Sequence, residues 1–152
     1  DYPRAAAIKA CLNRRATNHE EKLTVSLDPD NNHVAYRLGR LFAVFERIQE
    51  EANPGINSTI RDRYFGAASS NPLVVFPTLN RLKNHHLSKL ESRGRARNLE
   101  KLIGEIVDGL PGAQPFPAMM SLADQGRFAV GYYHQRQHSS TYKTHSEPET
   151  TP

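Results

Sequence analysis

Six cations, Arg81, Lys83, Lys89, Arg93, Arg95 and Arg97, stand between positions 81 and 97 with Glu91 as the only acid among them. That window carries a local +5 while the 152-residue chain nets +4, so the remainder sums to −1 and the basic character is local. Fourteen of the 20 lysines and arginines are arginine, whose planar fork grips phosphate and stacks on bases. Arg81, His85 and Lys89 recur at helical spacing, where like charges repel by a few tenths of a kcal/mol. Arg93, Arg95 and Arg97 lead into the next helical segment, whose dipole disfavours cations. A polyanion reverses both penalties, and nucleic-acid phosphate is the obvious one; a merely solvated basic face explains the same residues. Arg37, Arg40 and Arg47 form a further stripe, and Arg61 and Arg63 stand beside Tyr64 and Phe65. Arg127 and Arg136 accompany Phe128, Tyr132 and Tyr133. Arginine among aromatics can stack on unpaired bases, although aromatics at helical spacing more often form core. The candidate nucleic-acid-binding set is therefore the six residues of the window with Arg37, Arg40, Arg61 and Arg63.

Catalytic patterns are missing. The chain has no G-x-S-x-G, no phosphate-binding P-loop and no H-E-x-x-H. His134 and His138 are four apart and share a helix side, but two histidines without a third ligand make a weak metal site. His85 and His86 splay apart on a helix and cannot chelate together. Cys11 reads as a small buried hydrophobe. Glu50 and Glu51 read as a solvated helix end, Glu100 and Glu105 as surface charge, and no acid pair is placed for proton transfer. Asn57-Ser58-Thr59 matches a glycosylation sequon, which helix capping explains better. The expectation is a non-enzyme with no cofactor, no metal and no small-molecule substrate.

At 38% hydrophobic and 24% charged residues, the composition is that of a folded domain rather than a membrane or disordered protein. No run approaches the roughly 18 apolar residues of a membrane span, and the N-terminus lacks a signal-peptide layout. A single cysteine builds no disulfide framework, so a reducing cytoplasm is the expected compartment. The first residue is Asp1, which reads as a processed, trimmed or partial chain.

The elements that must position these residues are helices. Pro3 and the Ala5–Leu12 run predict a helix over 3–15. The only strand signal is Leu23–Leu27, closed by the turn cluster Asp28–Asn32. Val34, Leu38, Leu41, Phe45 and Ile48 predict the clearest helix, over 33–52, ended by Asn53-Pro54-Gly55. Further helices are predicted from Ser58 to about Ala68, with Thr59 and Asp62 in capping-box spacing, and from Phe76 or Pro77 to Glu91. Another covers about 96–109, with Leu99, Leu102, Ile103, Ile106 and Val107 inward. A last one, capped by Ser121 with Asp124, reaches about His138. Four glycines, Gly39, Gly104, Gly126 and Gly131, fall inside these helices, each costing about 1 kcal/mol relative to alanine; close backbone approach offsets that cost. The reading is an all-α, compact bundle of about five to six helices. Residues 1–32 are a helix and connector, 33–138 the bundle, and 139–152 a polar tail expected to be disordered.

Five ordered blocks carry a resemblance: Ala35–Ala43, Ile60–Ala68, Arg81–Leu87, Glu100–Ile106 and Gln125–Gln135. Together with the lead-in Ala7–Arg14 they resemble the C-terminal region of the Csd-type large subunit of type I-C CRISPR surveillance complexes (Cascade), over about residues 2–138. The resemblance implies a helical, small-subunit-like domain that can also be translated separately from an internal start. It implies a non-catalytic role in antiviral defence, beside the guide RNA–target DNA heteroduplex, supporting R-loop formation and helping to hold the displaced strand. Cleavage would fall to a recruited helicase-nuclease, and recognition of the protospacer-adjacent motif to the large subunit's N-terminal part. Implied partners are the large subunit, the backbone subunits and copies of itself. Apolar residues around Phe42, Val44 and Phe116 are expected to face such neighbours; a protein–protein spacer touching DNA little is the alternative.

Overall fold

The computed structural model describes residues 6–7 and 26–144. Among them are five helices and no strand: α1 (Val34–Ala52), α2 (Ile60–Ser70), α3 (Pro72–Lys89), α4 (Arg93–Asp108) and α5 (Leu122–Thr144). The predicted helix over 3–15 falls outside the described residues except for Ala6 and Ala7, which are helical. Ser26 and Leu27, the end of the predicted strand, have no regular structure.

α1 is the hub, and α5, α3, α4 and α2 all pack on it, α5 most extensively. Its predicted stripe is buried from Leu38 to Ile48, but so are residues on its other faces, including Arg37, Arg40, Glu46 and Gln49. A helix buried nearly all round belongs at the centre of a bundle. His33 caps its start, Nδ1 accepting from the Ala35 N–H at 3.2 Å, and the Asn53 N–H closes its end on the Gln49 carbonyl.

Helix ends follow local chemistry. The predicted capping box of Thr59 and Asp62 forms, with the Thr59 N–H donating to Asp62 Oδ2 at 3.0 Å, and the Thr59 hydroxyl also donates to Glu46 at 3.2 Å. α3 begins earlier than predicted because Pro72, with its preset φ, suits a first helical position. The Leu73 N–H then donates to the Pro117 carbonyl, and Pro77 lies inside the helix instead of starting it. α4 also starts early, since the Ser92 hydroxyl accepts from the Arg95 N–H at 3.1 Å. Its Leu99 and Ile106 point inward as predicted, but Val107 is exposed. Ser121 caps α5 through the Asp124 N–H, and the helix continues past His138 to Thr144, so the first residues assigned to a polar tail are helical. Residues 145–152 lie outside the described residues.

Two aromatic groups fill the core. Phe42, Phe65, Phe128 and Tyr132 meet edge to face at centroid distances of 5.1–5.8 Å, the arrangement ring quadrupoles favour. Phe116, from the proline-rich loop, stacks on Phe76 at 5.2 Å. Phe42 and Val44, expected to face neighbours, are instead buried here, because α1 is enclosed by the other four helices.

The four helix glycines divide. A Cβ on Gly39 would overlap the Phe128 carbonyl and the Tyr132 N–H, and one on Gly131 would overlap the Tyr36 carbonyl. These two glycines let the α1 and α5 backbones touch. Gly104 and Gly126 face open space. Gly39→Ala or Gly131→Ala is therefore expected to cost about 1–3 kcal/mol or more by forcing the crossing apart. Gly104→Ala and Gly126→Ala should gain up to about 1 kcal/mol. Thermal unfolding of the four variants checks this, and a Gly39→Ala protein that melts with the wild type would sink the close crossing.

Candidate nucleic-acid interface

The ten candidate cations separate by what the fold does with them. Arg37 and Arg40 are 7% and 5% exposed and so leave the surface set. Arg37 donates from Nη1 to the Glu105 and Ile106 carbonyls at 3.4 and 3.2 Å, meeting the last turn of α4 where orphan carbonyls favour a cation. Its Nη2 reaches Asn32 Oδ1 at 3.0 Å and the Pro29 carbonyl at 3.4 Å. A Cβ on Gly109 would strike this guanidinium. Arg40 donates from Nε to Gln135 Oε1 at 3.0 Å, joining α1 to α5. The sequence placed both on a stripe beside the apolar face; the enclosure of α1 turns that stripe inward.

Four more are engaged within the fold. Arg93 donates from Nη2 to the Leu87 carbonyl at 3.2 Å and to that of Leu90, closing the C-terminal end of α3. Arg95 makes a forked pair with Glu51 at 3.0 and 3.2 Å, so Glu51 is an ion-pair partner and not a bare solvated end. Glu50 is paired as well, 3.6 Å from Arg136. Lys83 lies 5.9 Å from the Phe45 ring centroid, and burial lowers its pKa against the raising effect of Glu100. Arg61 stands over the Tyr132 and Tyr133 rings at 5.6 and 5.4 Å and donates to the Tyr133 hydroxyl at 2.5 Å.

Arg63, Arg81, Lys89 and Arg97 remain. All are exposed, and among the described residues Arg81 contacts only Thr78 Oγ1, at 3.3 Å. The other three make no hydrogen bond or ion pair there. Arg81 and Lys89 share the outer face of α3 with exposed His85, Arg97 follows on α4, and Arg63 lines a shallow groove with Leu82 between α2 and α3. The structure thus leaves these four candidates, none paired with an acid among the described residues, around α3 and its turn into α4. Of the aromatics beside arginines, Phe128 and Tyr132 are core, whereas Tyr133 is about half exposed.

Three polar residues that the sequence reading passed over bind this frame together. Glu46, 2% exposed, accepts from the Tyr132 hydroxyl at 2.5 Å, from Thr59 and from Arg136. Burial and the Glu46 hydrogen bond raise the Tyr132 phenol pKa. Gln49 Oε1 accepts from the Ile60 N–H at 2.7 Å, capping α2, and Gln135 holds Arg40. Glu46 and Gln49 stand four residues after Phe42 and Phe45, so their place on the apolar face was the available signal. His134 Nδ1 is hydrogen-bonded to the Tyr36 hydroxyl at 2.8 Å. No group of three or more potential metal ligands occurs among the described residues.

His86, at the buried end of α3, carries a pH consequence. Burial, then the nearby His85 and Lys89 charges, lowers its pKa below 6.5. The unfolded chain takes up this proton first, so the His86 contribution is complete above about pH 6.5 and shrinks as pH falls toward the lower folded value. His86→Gln should flatten that slope in urea unfolding between about pH 7.5 and 5.5. Identical slopes for both proteins would exclude His86 as the group.

The family model described as CRISPR-associated protein (Cas_Csd1) matches residues 1–140. No curated protein matches the chain. No helix among the described residues is long and apolar enough to cross a membrane.

Proposed function

The chain belongs to the Cas_Csd1 family of CRISPR-associated proteins, and from that premise we propose that it is a non-catalytic structural part of a type I-C surveillance complex. In this reading it is a small-subunit-like helical domain in the cytoplasm that supports target DNA binding and stabilises the R-loop through its basic surface. The observation that carries the reading is the group Arg63, Arg81, Lys89 and Arg97, exposed around α3 and paired with no acid among the described residues. Scattered arginines without a base-reading motif suit phosphate contact, which positions a strand without reading its sequence.

The test is Arg81→Glu, Lys89→Glu and Arg97→Glu combined, in the complex assembled with its other subunits on target duplex. Neutralised phosphate contacts set the salt slope, so losing three of them should lower the slope of log K against log salt by about 2–3. Affinity at low salt should drop more than about tenfold, with unchanged thermal unfolding. Target capture identical to wild type across the salt titration would defeat the reading.

A second reading, a spacer between protein neighbours, is favoured by a separate observation. Leu73, Val74, Met119 and Leu122 are 44%, 72%, 81% and 84% exposed. Backbone hydrogen bonds from Leu73 N–H to Pro117 and from Met120 N–H to Ser70 tie their two segments together. No charge occurs from Ala67 to Asn80 or from Gly109 to Ala123, so this end of the bundle offers an apolar contact. Under the spacer reading, Val74→Glu with Met119→Glu prevents assembly while the cation variants behave normally; assembly unaffected by this pair would remove it.

A further inference from the structure

A cleft of about 390 Å³ opens between α1, α4 and α5, away from the exposed cations of α3. Val44, Leu99 and Leu102 give it apolar walls, Arg40 lies within it, and Arg47 and Arg95 stand along its lining. Its size is within the range of small-molecule sites, about 300–1,000 Å³.

Arg40 has the geometry of a receptor. It is 5% exposed, and the Nε bond to Gln135 fixes the plane of its guanidinium. Its Nη1 and Nη2 make no hydrogen bond or ion pair among the described residues. Arg47 Nε, buried in the same region, is also without a hydrogen-bond partner; the Glu51 carboxylate is 3.6 Å away. Burial and the neighbouring Arg37 charge lower the Arg40 pKa, offset only in part by Glu105 and Asp28. A buried donor without a hydrogen bond is costly, and Arg47 Nε is one although its charge pairs with Glu51. The Arg40 terminal nitrogens are unbonded among the described residues but open onto the cleft, which Glu105 also lines. An oxyanion accepting from both arginines would satisfy them, and Arg–phosphate pairing is forked and strong. The adjoining apolar walls suit a flat, weakly polar group attached to that anion. Arg95 belongs both to this cleft and to the basic segment 81–97, which connects the two regions.

We propose that the cleft receives a nucleoside 5′-phosphate, its phosphate on Arg40 and Arg47 and its base against Val44, Leu99 and Leu102. The source is an unpaired nucleotide of a single strand. The choice of source rests on the nucleic-acid reading above, whereas the chemistry of the cleft does not.

The test uses the full chain, labelled with nitrogen-15, and follows arginine Nε resonances; the Arg40 signal is the one lost in Arg40→Gln. Thymidine 5′-monophosphate, inorganic phosphate and a short oligothymidylate are titrated separately. The monophosphate and the oligonucleotide should both shift the Arg40 signal. Arg40→Gln, which removes a charged donor, and Asn98→Trp, which fills the cleft from an exposed lining position, should each weaken oligonucleotide binding about tenfold. Asn98→Trp breaks no hydrogen bond among the described residues, so it reports on the cleft even if Arg40→Gln unfolds. The triple glutamate variant on α3 and α4 should leave monophosphate binding within about twofold of wild type, since those cations lie outside the cleft.

Oligonucleotide binding equal in wild type and both variants, with the Arg40 signal unmoved, overturns the proposal and leaves the surface reading standing. A monophosphate shift without any oligonucleotide binding keeps the cleft as a free-nucleotide site and defeats the strand as its source, together with the surface reading. Inorganic phosphate binding as tightly as the monophosphate overturns the nucleoside part. No shift with any of the three overturns the site itself.

Discussion

The contact of two helix backbones at Gly39 and Gly131 governs the rest of this bundle. With no Cβ on either side, α1 and α5 cross at a separation that ordinary side chains forbid. Residues one turn away along both helices are thereby brought into mutual reach. Phe42 meets Phe128 and Tyr132 on one side of the crossing, and Glu46 receives the Tyr132 hydroxyl further along. Arg40 and Gln135 pair across the same interface. A wider crossing would open a void among the rings and stretch every one of these hydrogen bonds, so the conformational cost of two helix glycines is offset by the packing they permit.

Guanidinium groups then fasten the other helices to this pair. Arg37 meets the last carbonyls of α4, Arg93 those of α3, and Arg95 ties the start of α4 to the end of α1 through Glu51. Arginine suits such work because it stays charged under partial burial and reaches several acceptors from one plane. The abundance of arginine is thus partly architectural. Counting cations along the chain overstates the charge available to a partner, and the structure reduces ten candidates to four that are exposed and pair with no acid among the described residues.

Surface character is segregated as a result. Exposed candidate cations without an acid partner among the described residues lie around α3 and its turn into α4, while the α3 start and the loop before α5 expose apolar side chains in two segments without charge. These faces suit partners of opposite chemistry, a polyanion and an apolar protein surface, and a component held within a larger assembly can use both.

Sequence alone determined the helical class, because 3.6-residue periodicity, prolines and capping residues act over a few positions. The stripe from Val34 to Ile48, the Ser121 cap and the break at Asn53-Pro54 all needed nothing but local spacing. It also flagged Gly39 and Gly131 as costly, but could not separate them from Gly104 and Gly126, since what lies opposite a glycine is decided by another helix. The inward turn of Arg37 and Arg40 likewise had no local signal: an arginine beside an apolar stripe reads as surface until a central helix is enclosed on every side. Glu46 and Gln49 could be placed near the core from their spacing, yet their partners, 11 to 90 residues away in the chain, exist only after packing. The cleft beneath Arg40 belongs wholly to the tertiary structure, because three helices must meet before there is a space for its unpaired donors to face.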